Sequence, residues 1–111
     1  MQKDVQISEN LFIQDLESGY SYVNFHRRTE DIHDPETGEV TGFAFVAGEQ
    51  YRIQNPTTYD RIVDAVVKEK YPDGADQAAL RKGISDNTNE DFLVFNAFVE
   101  AIKKVCKDEG I

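Results

Sequence analysis

At Asn55-Pro56 the period of the chain changes. Before it, apolar residues alternate with polar ones, as in an extended strand; after it they recur at spacings of three and four, as on one face of a helix. No single element satisfies both periods, so the 111 residues fall into a strand-forming half and a helix-forming half. Two independent cores would each be too small at this length, which predicts one domain over residues 1–111. The expected class is α+β: a three- to four-stranded antiparallel sheet, mainly from Leu11 to Ile53, packed by two to three helices of the second half.

In the first half, Leu11 to Leu16 alternates and runs into Glu17-Ser18-Gly19, a strand followed by a turn. From Tyr20 to Thr29, Val23 and Phe25 share one face while Tyr20, Tyr22, Asn24 and His26 share the other, so aromatics lie on both sides. Asp34-Pro35-Glu36-Thr37-Gly38-Glu39 reverses the chain, because Pro presets φ and Gly accepts a positive one. Phe43 to Ala47 alternates again, and Tyr51-Arg52-Ile53 resumes the pattern beyond Gly48, where a bulge or tight turn is expected.

In the second half, Pro56 suits a first helical turn and Thr57 with Asp60 resembles a capping box, so a helix is predicted over Thr57–Tyr71. Its stripe is Tyr59, Ile62, Val63, Val66 and Val67, and Pro72-Asp73-Gly74 ends it. A short helix over Asp76–Lys82 is expected to close at Gly83 through a left-handed cap. The third helix, Glu90–Lys107, follows the polar Ser85 to Asn89 loop, with acids in its first turn and lysines in its last, as the helix dipole favours. Phe92, Phe95, Phe98, Val99, Ile102 and Val105 form its stripe, and Leu93, Val94, Ala97 and Ala101 widen the arc beyond what one neighbour covers.

Twelve basic against 21 acidic residues give a formal charge of −9, which repels phosphate backbones and anionic bilayers. Nucleic acid and membrane are therefore not expected partners. The one cysteine, Cys106, cannot form an internal disulfide, and Met1 to Asn10 lack the basic start and apolar run of a signal peptide; both point to the cytoplasm.

His26 and His33 with Glu30, Asp31 and Asp34 offer imidazole and carboxylate donors, but their spacing matches no compact metal motif, and a solvated acidic loop is the simpler reading. Asp86 to Glu90 alternates oxygen donors like a calcium loop, yet Asp91 stands where that loop needs Gly and Ala97 where it needs Glu. Cys106 sits among Lys103, Lys104 and Lys107 without an evident base and reads as a packing residue. Arg27 and Arg28 beside Tyr20, Tyr22 and Phe25 suggest a single-strand-binding surface only superficially; pairing with cross-strand carboxylates fits the net charge better. No catalytic residue, metal ligand or cofactor is assigned.

Tyr51-Arg52-Ile53, Tyr59 with Ile62-Val63, Ala65-Val66-Val67 and Tyr71-Pro72-Asp73, between an aromatic hairpin and the Phe92 to Ala101 helix, occur in an order that resembles small uncharacterised proteins associated with prophages and mobile elements of gut bacteria. The shared residues are core and turn positions, so the resemblance implies an accessory or structural role and transfers no site.

The excess apolar surface predicts self-association or a protein partner, with Tyr20, Tyr22, Phe92 and Val94 as contact residues. The expected function is a non-enzymatic interaction or structural module. Two alternatives are an acidic mimic that occupies a nucleic-acid-binding enzyme and a metal-dependent enzyme using His26 and His33.

Overall fold

The computed structural model describes all residues from Met1 to Ile111 and is α+β, with four antiparallel strands in the N-terminal half and three helices in the C-terminal half. The chain divides into two compact units, Met1–Pro56 and Thr57–Ile111, at the point where the hydrophobic period changes.

The first unit is one sheet of β1 (Gln2–Ile7), β2 (Ile13–Leu16), β3 (Tyr20–His33) and β4 (Val40–Gln54), in the spatial order β1-β4-β3-β2. β3 and β4 form a long hairpin whose turn follows the sequence reading: Gly38 has φ 74°, and the Asp34 carboxylate accepts from Glu36 and Thr37 N–H at 2.7 and 3.2 Å. β1 lies N-terminal to the predicted sheet. Of its residues only Ile7 is buried and Val5 half-buried, so no alternation marks it, and its place comes from the backbone ladder it makes with Gln50 to Phe45 of β4.

Gly48 does not break β4. The register pairs Phe25 with Glu49 and Arg27 with Ala47, which sets His26 opposite Gly48 in one continuous strand. A Cβ on Gly48 would stand 3.1 Å from His26 Cβ and 3.3 Å from His26 O, so the glycine answers to close backbone approach rather than to a turn. The ladder shifts instead between Ile32 and His33, near the hairpin tip.

One face of this sheet buries Val23, Phe25, Tyr51 and Ile53. Phe25 makes edge-to-face contacts with Phe12 and Tyr51 at centroid distances of 5.2 and 5.5 Å, each worth about 1 kcal/mol beyond burial. The neighbouring positions Asn24 and Gln50 are also buried, and they face each other across β3 and β4. Gln50 Nε2 donates to Asn24 Oδ1 at 3.0 Å, and Asn24 Nδ2 donates to the Leu11 carbonyl at 2.9 Å. One bond joins the two buried amides and the next fastens the segment before β2 to the sheet.

The second unit comprises α1 (Tyr59–Lys70), α2 (Ala75–Ser85) and α3 (Glu90–Asp108). α1 starts later than predicted: Thr58 is its N-cap, accepting from Arg61 N–H, so neither Pro56 nor Thr57 belongs to the first turn. α3 matches its predicted span to within a residue, and Asn89 caps it by accepting from Asp91 and Phe92 N–H. α2 departs furthest from the sequence reading. It extends past Gly83 to Ser85, and its left-handed residue, Gly74 with φ 82°, lies at the N-cap rather than the C-terminus.

Gly83 faces α3. A Cβ there would lie 2.1 Å from Phe92 Cδ1, so the missing side chain is what lets the Phe92 ring lie against α2. The Lys82 ammonium pairs with the Asp91 carboxylate along the same seam. Val67, Ala79 and Phe95 form the buried centre of this unit, with Val63, Tyr71, Phe98 and Val99 around it. Tyr71 stands edge-on to Phe95 at 5.0 Å, and Lys70 lies over the Phe98 ring at 4.3 Å. No helix is long and apolar enough to cross a membrane.

Candidate interaction surface

The β3–β4 hairpin outruns its neighbours. β1 reaches no further along β4 than Phe45, and β2 pairs with β3 only as far as Val23. Six- and four-residue strands flank fourteen- and fifteen-residue ones, so the distal hairpin projects as a two-stranded arm. On the arm Ile32, Val40 and Phe43 are exposed, Phe43 by 60%, although Phe43 also packs edge-on to Phe45 at 5.4 Å.

The tip is well tied. Asp34 and Glu39 close the turn through the Asp34 N–H to Glu39 carbonyl bond at 2.7 Å, Thr41 Oγ1 donates to the Ile32 carbonyl, and His33 Nδ1 lies 3.1 Å from the Gly38 carbonyl. Glu30, Asp31, Asp34, Glu36 and Glu39 occupy the arm, with no Lys or Arg between Arg28 and Arg52. At its root, Arg28 donates to Glu30 at 2.7 Å and to Asp4 of β1 at 3.0 Å, which raises its guanidinium pKa, first through Glu30 and then through Asp4. The carboxylate pairing expected for the arginines is seen at Arg28, and Arg27 also lies over the Phe12 ring at 5.8 Å.

Of the contact residues expected from sequence, Tyr20 and Tyr22 belong to the first unit and Phe92 and Val94 to the second. Tyr20 is half-buried beneath the Arg52 guanidinium, 4.1 Å from its ring, and Tyr22 is half-buried two residues on. Phe92 is taken up by Gly83, whereas Val94 is 53% exposed beside Leu93 on α3. Ile84, 86% exposed, and Leu80 add apolar surface on α2 that the sequence pattern does not mark.

His26 and His33 do not converge. They lie seven residues apart on one extended strand, roughly 23 Å at the usual rise, and no group of three or more His, Cys, Asp or Glu side chains is placed to hold a metal ion. The Asp86 carboxylate is occupied by Thr88, whose N–H and hydroxyl donate to it at 3.0 and 2.6 Å and lower its pKa. It works as a loop brace before α3.

Cys106 is fully buried on α3, and desolvation pushes its thiol pKa up. A thiol that is both shielded and disinclined to ionise reacts slowly. Native protein is therefore expected to resist a disulfide-exchange reagent such as dithionitrobenzoate and to react fully once denatured; rapid native labelling would show that α3 opens readily. Comparison with protein-family models, with curated proteins and with solved structures finds no match.

Proposed function

We propose that this chain is a non-enzymatic protein-interaction module that binds through the β3–β4 hairpin. The observation that carries the reading is the overhang: a well-braced arm with exposed Ile32, Val40 and Phe43 and unpaired strand edges beside them. Unpaired N–H and C=O rows next to exposed apolar side chains are what strand addition uses. A phage-derived accessory or structural role is part of this reading, supported by the order of core residues from Tyr51 to Asp73, and adjacent phage structural genes are the observation that tests it.

The site is tested by placing a photo-crosslinking amino acid at Phe43 and, as a control, at Leu93, in cells of the source organism. Adducts of higher mass are expected from position 43 and not from position 93. Equal yields, or adducts from 93 alone, would remove the hairpin from the interface. The five carboxylates on the arm favour a second reading, an acidic mimic of a phosphate backbone, in which adducts at 43 would be to a nucleic-acid-binding enzyme and would fade as salt is raised.

A further inference from the structure

β3 carries an uncovered edge of defined length. β2 occupies its outer side from Tyr20 to Val23, and the last bond on that side runs from Asn24 N–H to the Phe12 carbonyl at 2.7 Å. From Phe25 to His33 no strand pairs with that side, and all of these residues except Phe25 and Arg27 are exposed. The centre of this nine-residue run is Thr29.

The charges along the run are ordered Arg27-Arg28-Thr29-Glu30-Asp31. Their order has an antisymmetry about Thr29 that matters only if the strand meets another one running the opposite way. We infer that the second strand is β3 of another copy of this chain, paired antiparallel about a two-fold axis through Thr29. This inference rests on the hairpin being the interacting element and names its partner.

A two-fold axis normal to the sheet keeps each residue and its copy on the same face, so it passes through a residue position. Through Thr29, Arg28 stands opposite the copy's Glu30 and Arg27 opposite the copy's Asp31, and no like charges meet. Through Arg27, Arg28, Glu30 or Asp31 the axis would set that side chain against its own charge. Within the charged stretch Arg27 to Asp31 the charges allow only Thr29, and Thr29 is also the centre of the run that β2 leaves unpaired. Arg28 and Glu30, 2.7 Å apart within one chain, become half of a four-membered ring of alternating charge in the pair. Joining the two edges makes one eight-stranded sheet from two four-stranded ones.

Light scattering during gel filtration tests this, with a mass near twice 12.6 kDa expected for the wild type. Arg28→Glu and Glu30→Arg, each alone, put like charges face to face and are expected to weaken the dimer by roughly tenfold or more. Mixed in equal amounts, the two variants restore opposite pairs at both positions, so a heterodimer is expected that neither forms with itself. Circular dichroism checks that each remains folded. Thr29→Cys gives a second measurement, because residues facing each other on the axis lie within disulfide reach, so mild oxidation should link two chains, whereas Thr37→Cys at the hairpin turn should not link.

A monomer at every concentration, a dimer indifferent to both charge reversals, or folded variants that fail to complement each other would each overturn the proposal. If the wild type is a monomer and position 43 still crosslinks to a different protein, self-pairing falls and the interaction module stands. A β3 dimer that gives no adducts at position 43 would do the opposite, upholding self-pairing and removing the exposed apolar arm as a docking site for other proteins.

Discussion

Asn24→Leu is expected to cost the sheet about 1–3 kcal/mol, since the buried Gln50 amide and the Leu11 carbonyl each lose a hydrogen bond. The change is close to isosteric and adds apolar surface at a position only 1% exposed, so area alone would make it favourable. The Gln50 amide is left without the Asn24 oxygen it donates to, and the Leu11 carbonyl without the Asn24 amide. Urea unfolding of the variant measures the loss. Gln50→Leu in the same chain removes one orphan and is expected to recover part of it, so a non-additive pair is the diagnostic result. Simple additivity would mean the two amides act separately.

Gly83→Ala is expected to destabilise the helical unit by about 2 kcal/mol, against a helix-propensity gain of about 1 kcal/mol. The sign is set by Phe92, whose ring atoms Cδ1, Cε1 and Cγ would lie 2.1 to 2.4 Å from the new methyl. Because Cγ is held close to the backbone through Cβ, the ring cannot swing clear without leaving its site. The decisive comparison is made in a Phe92→Ala background, where the same substitution should become stabilising. If Gly83→Ala destabilises there as well, the glycine is required by its backbone and not by the ring.

The two halves of the fold are legible because each obeys its own period over many residues, and the turn at Asp34 to Glu39 because Pro and Gly fix its angles. β1 is not, since Gln2, Lys3, Asp4 and Gln6 are all exposed and a strand held mainly by its ladder leaves little trace in side-chain pattern. Gly83 misleads for a related reason. Glycine signals both a left-handed cap and close helix contact, and only the position of Phe92 separates the two. The arm is hidden in the same way: Phe43 and Phe45 alternate like core residues, yet Phe43 lies beyond the last β1 pair, at Phe45, and is exposed. A signal is present in the carboxylates from Glu30 to Glu39, which no buried hairpin would carry.

Asp4 and His26 flank Gly48 on the two adjoining strands, and both hold φ at 53°. Side chains other than glycine enter that region at a penalty, and Asp and His are among those that tolerate it best. Two left-handed residues thus stand in one row across three strands, with the Arg28 to Asp4 ion pair beside it. A β-branched side chain at Asp4 or His26 would meet that backbone at a higher penalty, so exchange is least tolerated along this row, while the exposed arm lies beyond it.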